Sequence, residues 1–140
     1  MTDDARTFKH VFRLDPDTGF FHCVQNGTMT EEDAVEMLAI FARHARPGDP
    51  VFALADDRNA TAMTPGARKV FATQKLDEEI YLALFGGSFA FRVVVTLFLK
   101  VMSLAKPKFT GVVVADEAEG LAWLKERKRA YLARPAKVIA

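Results

Sequence analysis

Hydrophobic and polar positions change their spacing several times along this chain, and each change predicts an element. Residues Phe8 to Asp15 (FKHVFRLD) mix alternation with β-branched and aromatic side chains, which predicts a strand. DPDTG, Asp15 to Gly19, predicts a turn, because Pro16 presets φ and Gly19 supplies a permissive backbone. FFHCVQNG, Phe20 to Gly27, is then the returning strand of a hairpin. Thr30 caps a helix expected to run to about Ala45. Glu31, Glu32 and Asp33 at its start and Arg43, His44 and Arg46 near its end suit the helix dipole. Ala34, Leu38, Phe41 and Ala45 make one apolar face, and Pro47 with Gly48 stops the helix.

VFALADD, Val51 to Asp57, is a short apolar run ending in acids, as expected of a strand buried on both faces. RNATAM follows as a loop, and Thr64 with Pro65 opens a second helix to about Lys75. IYLALFGG, Ile80 to Gly87, predicts another buried strand, after which Ser88 caps a helix to Leu104. KFTGVVVAD, Lys108 to Asp116, is the last strand. Asp116 and Glu119 form a near capping box for a final helix whose Leu121, Leu124 and Leu132 lie toward one side. The order β-β-α-β-α-β-α-β-α predicts an α/β fold as one domain over residues 1–140. Its sheet should be mostly parallel, with an antiparallel hairpin at its start and helices packed on it.

Composition narrows the function more than the fold. The chain has 140 residues, half of them hydrophobic, enough for a core without metal or disulfide staples. A net charge of +1 gives no global pull toward nucleic acid or membrane. The basic stretch KERKRAYLARPAK reads as a solvated helix face, so no nucleic-acid partner is expected. The single cysteine, Cys23, excludes an internal disulfide and a Cys-pair metal site. The acidic N-terminus lacks the positive region and apolar run of a signal peptide, and a cytoplasmic setting is expected.

Three stretches together resemble the SpoIIAA-like group of the STAS/SEC14 superfamily. NGTMTEED (Asn26 to Asp33) is similar to that group's strand-end glycine, capping Thr and acidic helix start. VFALADDRNATAMTPGARK (Val51 to Lys69) resembles its central strand, loop and second helix, and DEAEGLAWLKE (Asp116 to Glu126) its closing signature. The resemblance implies a small α/β sandwich of the STAS type. Better-known relatives bind regulatory protein partners, notably anti-sigma kinases, and are switched by phosphorylating a Ser or Thr at the start of the second helix. SEC14 domains carry lipids. Thr64 in AMTPG is the best match to the phosphoacceptor, with Thr61 behind it. Met63 stands where the pattern has Asp, and Pro65 follows, so Thr64 as a plain helix cap is the competing reading.

Candidate chemistry is sparse. ADDRN puts Asp56, Asp57 and Arg58 at the carboxyl end of a parallel strand, where open α/β sheets place ligands. Adjacent carboxylates in a strand point to opposite faces, so Asp56 and Asp57 form no acid pair; they contact a ligand or partner, or steady the loop. His10 and His22 could face each other across the hairpin, but a metal needs a third ligand, and Cys23 beside His22 points the other way. Cys23 is expected to be a small buried apolar residue. There is no P-loop, GxGxxG, GxSxG or zinc spacing, so neither catalysis, metal nor cofactor is expected.

SFAFRVVVTLFLKVMSL, Ser88 to Leu104, is the most unusual stretch. Arg92 and Lys100 interrupt a run shorter than the roughly 20 residues a membrane span needs, so no integral membrane segment is expected. On a helix, Arg92, Thr96 and Lys100 form one narrow polar stripe. The remaining apolar arc exceeds twice the roughly 100° that one sheet covers. The leading reading is a non-enzymatic STAS-like interaction or regulatory module, a homodimer built on Phe91, Val94, Leu97, Phe98 and Val101. The alternative is a small SEC14-like domain for a lipid or hydrophobic ligand, with Arg92 or Lys100 meeting an acidic headgroup.

Overall fold

In the computed structural model, which describes residues 9–75 and 77–135, the elements follow the expected order. They are β1 (Val11–Leu14), β2 (Phe21–Met29), α1 (Glu31–His44), β3 (Val51–Met63), α2 (Pro65–Thr73), β4 (Ile80–Phe85), α3 (Phe89–Ala105), β5 (Phe109–Val114) and α4 (Glu117–Leu132). One five-stranded sheet carries them in the order β1-β2-β3-β4-β5. β1 and β2 are antiparallel and every later neighbour is parallel. Phe8, expected in the first strand, lies outside the described residues, as does Lys137 of the basic C-terminal stretch.

Caps fix the helix starts. Thr30 and Asp33 exchange hydrogen bonds, Asp33 N to Thr30 Oγ1 at 3.2 Å and Thr30 N to Asp33 Oδ2 at 3.1 Å, a closed capping box. Ser88 accepts from Phe91 N and Asp116 from Glu119 N. The hairpin turn closes through Asp15, whose carboxylate takes the Asp17 N–H while its backbone pairs with Gly19 and Phe20.

Strand alternation sorts the core into two unequal halves. Phe52, Leu54, Tyr81, Ala83, Phe85 and Val114 point to the face covered by α4, whose Leu124 is completely buried among them. Gly120 lets that helix come close: a Cβ there would sit 2.6 Å from Leu54 Cδ1. The opposite face is covered by α1, α2 and α3. Two cations that the sequence suggests as solvated hold α4 in place: Lys128 donates to Thr18 O at 2.6 Å, and Arg134 forks onto Glu79.

Some expected details shift. β3 runs six residues past Asp57, because Asn26 to Met29 of β2 pair with Asn59 to Met63 across two register slips. α1 buries Ala34, Met37 and Ile40, one step round from the expected face, since the neighbouring helix and β1 approach from that side. Leu132 is 70% exposed at the end of α4 rather than on the core side.

Because α4 is the only helix on its face among the described residues, Leu124→Ala should lower stability by about 2–5 kcal/mol. Urea unfolding followed by circular dichroism checks this.

Candidate functional site

α3 divides the molecule's apolar surface into an inner and an outer part. Phe91, Val95, Leu99 and Met102 are buried against the sheet. Arg92, Thr96 and Lys100 hold one flank, and neither Arg92 nor Lys100 forms an ion pair among the described residues. The other flank and the outward side carry Val93, Val94, Leu97, Val101 and Leu104, all exposed, with Leu97 at 58% and Val101 at 62%; Phe89, exposed as well, lies at the start of the helix in line with Thr96 and Lys100. The expected interface set is therefore split. Val94, Leu97 and Val101 face outward; Phe91 is turned into the core beside Ala60 and Leu84, and Phe98 is half-buried. A helix with one narrow polar stripe and apolar residues everywhere else leaves its phase open, and for that reason the sequence does not separate the two sets.

Beneath α3 lies an apolar cavity of about 140 Å³. Its roof is Met37, Leu38 and Phe41 of α1, Phe71 of α2, and Val95, Phe98, Leu99 and Met102 of α3. Its floor is Cys23, Ala53, Ala55, Ile80, Leu82 and Leu84. The room comes from residue size: along Phe52-Ala53-Leu54-Ala55 the large side chains go to the α4 face and the small ones to this face. That size alternation is a sequence signal for a cavity. Arg92 and Lys100 do not line it.

At the carboxyl end of β3 the three candidate polar residues separate. Asp56 and Arg58 form a forked pair, Nε to Oδ1 at 3.0 Å and Nη2 to Oδ2 at 2.6 Å, with the guanidinium over the Phe85 ring. That pair and its backbone contact hold the Asp56 carboxyl below its ordinary range. Asp57 points to the other face and is 0% exposed. Neither of its oxygens has a hydrogen-bond partner among the described residues. Burial, then the charge of Asp56, pushes its carboxyl up to about 7. Gly86 and Gly87, at φ +90 and +89, let the next turn press on this end of β3; a Cβ on Gly86 would meet Arg58 N at 2.7 Å.

The remaining candidates are structural. Thr64 Oγ1 accepts from Ala67 N at 3.1 Å as the α2 cap, and the Glu31 side chain packs on Gly66 beside it. Thr61 meets Thr28 at 3.1 Å. His10 and His22 do not face each other, since His22 pairs with Arg13 in the β1–β2 register. His10 instead accepts from Asn26 N and reaches the Asp33 carboxylate, a buried tie between the hairpin and α1. Burial, with the nearby charge of Asp57, pushes the Cys23 thiol up to about 12. Such a thiol is no nucleophile at neutral pH.

No family model matches the chain, nor does any curated protein. Among solved structures, it is similar to an uncharacterized protein of the DUF3478 family from Shewanella loihica PV-4, a crystal structure described as having a SpoIIAA-like fold. The identity is 18%, the match covers 82% of this chain and 91% of that one, and the TM-score is 0.59. The fold is SpoIIAA-like. A likeness at this identity speaks for the SpoIIAA-like architecture and for nothing bound to it. No helix among the described residues is long and apolar enough to cross a membrane.

Asp57 gives a pH dependence of defined sign. A folded carboxyl near pH 7, against an unfolded one near 3.8, binds a proton on folding in the window between them. Its contribution is full below the lower value and is lost as pH rises to about 7. The stability of the parent protein relative to Asp57→Asn should therefore fall across that window, by up to about 1.4 kcal/mol per pH unit. Denaturant unfolding of both proteins at pH steps from 4 to 8 checks it.

Proposed function

We propose that this protein is a non-enzymatic STAS-like interaction module that self-associates through the outward face of α3. The observation that supports this reading is the row Val93, Val94, Leu97, Val101 and Leu104, exposed on a helix whose inner side is already satisfied by the core. An exposed apolar row of this kind is the usual mark of an interaction site. A two-fold pair would set the row of one protomer against the same row of its partner. Covering both rows would contribute on the order of 10 kcal/mol. The cost of association is roughly 4–15 kcal/mol. The two are of similar size, so the dimer should depend on concentration. Arg92 and Lys100, on the polar flank, fall at the rim, where they would set orientation more than affinity.

A second reading, uptake of a hydrophobic ligand, is favoured by the cavity behind the same helix. Its size restricts that reading, since 140 Å³ is less than a full acyl chain requires. Regulation through Thr64 finds less support: its hydroxyl already caps α2, and Glu31 at that helix start would repel a phosphate.

Native mass spectrometry and light scattering over a concentration series test self-association. The parent chain is expected to move from monomer to dimer with concentration. Val94→Asp and Leu97→Asp, each alone, are expected to stay monomeric with unchanged circular dichroism. A parent chain that is monomeric throughout, or dimers untouched by both changes, overturns the reading.

A further inference from the structure

On the face of the sheet away from α3, where β1 and β2 extend it past the start of α4, lies a second pocket, of about 210 Å³. Two rows of paired residues make its floor, Val11–Val24–Asp56 and Arg13–His22–Leu54, each crossing β1, β2 and β3 in register. Arg58, two positions on in β3, and Glu117, the first residue of α4, complete its wall. Asp56 pairs with Phe85, the last residue of β4, and Phe85 with Val114, the last of β5. The pocket therefore stands at the carboxyl ends of the parallel strands, where open α/β sheets place ligands.

The charges in this pocket are not all answered within it. Asp56 and Arg58 are forked onto each other. Burial, then the charge of Arg13, holds the His22 imidazole below its ordinary range, so it adds little charge at neutral pH. That leaves Arg13 and Glu117, and neither has a hydrogen-bond or ion-pair partner among the described residues. Val11, Val24 and Leu54 supply apolar surface to the same pocket. One unanswered cation and one unanswered anion select a ligand by charge pattern. A lone anion would meet Glu117 and Asp56, and a lone cation would meet Arg13 and Arg58. An uncharged molecule would take water from both groups and return nothing. A molecule carrying both charges answers both.

We propose that this pocket binds a zwitterion of the free α-amino acid class with an aliphatic side chain, its carboxylate on Arg13, its ammonium on Glu117 and its side chain against Val11, Val24 and Leu54. An arginine suits the carboxylate because its planar fork offers two parallel N–H donors. The volume is above that of the engineered cavities that take up benzene and below the roughly 300 Å³ at which pockets for drug-sized ligands begin, which suits an amino acid of about five or six carbons. The site lies across the sheet from α3 and depends neither on self-association nor on uptake beneath that helix.

The test uses protein labelled with ¹³C in its histidine rings, because His22 lines the pocket and His10 and His44 do not. L-leucine is titrated beside isocaproate, which lacks the ammonium, and isoamylamine, which lacks the carboxylate. Leucine is expected to shift the His22 signals to saturation and to leave those of His10 and His44 in place. Each single-charge analogue should bind about tenfold more weakly or worse. Arg13→Gln and Glu117→Gln, both at exposed positions, should keep the circular dichroism of the parent and each weaken leucine by about tenfold or more. If leucine leaves His22 unmoved, the site is overturned. If isocaproate or isoamylamine binds as tightly as leucine, the zwitterion is overturned in favour of a plain anion or cation. If leucine binds and neither variant weakens it, the assignment of its charges to Arg13 and Glu117 is overturned.

Discussion

Right-handed crossovers between parallel neighbours put every connecting helix on the same side of a sheet whose strands are laid down in chain order. Here β2, β3, β4 and β5 are neighbours in exactly that sequence, so α1, α2 and α3 must share one face and the other is left to whatever follows β5. Most of the molecule's character comes from this asymmetry. Three helices over one face need not meet perfectly. α1 packs on α2 while α3 packs on β5 and β3, and the seam between the two groups is the cavity. The single helix on the other face has no helical neighbours to share its task. It is held by a fully buried Leu124, a close approach at Gly120, and cations that reach the hairpin turn and β4.

The same asymmetry separates the polar groups at the end of β3. Asp56 emerges on the sparsely covered face, where it finds Arg58 and partial solvent. One residue later Asp57 is forced under the three-helix layer, where neither of its oxygens has a hydrogen-bond partner among the described residues. Two adjacent aspartates thus move in opposite directions from their ordinary proton affinity, one held ionised and one pushed toward neutrality. Period-two geometry, not any difference between the two side chains, makes the distinction.

Much of this was legible in the chain. Helix starts were marked by Thr30, Thr64, Ser88 and Asp116, whose side chains make local hydrogen bonds that need no tertiary help. Strand direction followed from the alternation of elements, whereas the order of the strands across the sheet did not. The opposite orientation of Asp56 and Asp57 followed from strand geometry, but the burial of Asp57 did not, because a helical roof is a long-range fact. The sequence does not distinguish Met37 and Ile40 from Leu38 and Phe41 as the buried set, since the broad apolar arc of α1 permits more than one phase. α3 shows the same limit in stronger form: apolar on nearly every side, it could not say which of Phe91 and Val94 would turn inward. The extension of β3 through Arg58 to Met63 was hidden because polar residues in a pair of extended, partly exposed strands look like loop.

Since α4 is made after every strand it covers, synthesis imposes an order on this fold. While the ribosome has not yet released residues 117–132, Phe20, Phe52, Leu54, Tyr81 and Phe85 form a bare aromatic and aliphatic wall on an otherwise assembled sheet. A nascent chain in that condition is exposed to capture by other nascent chains, and the docking of residues 117–132 ends that exposure.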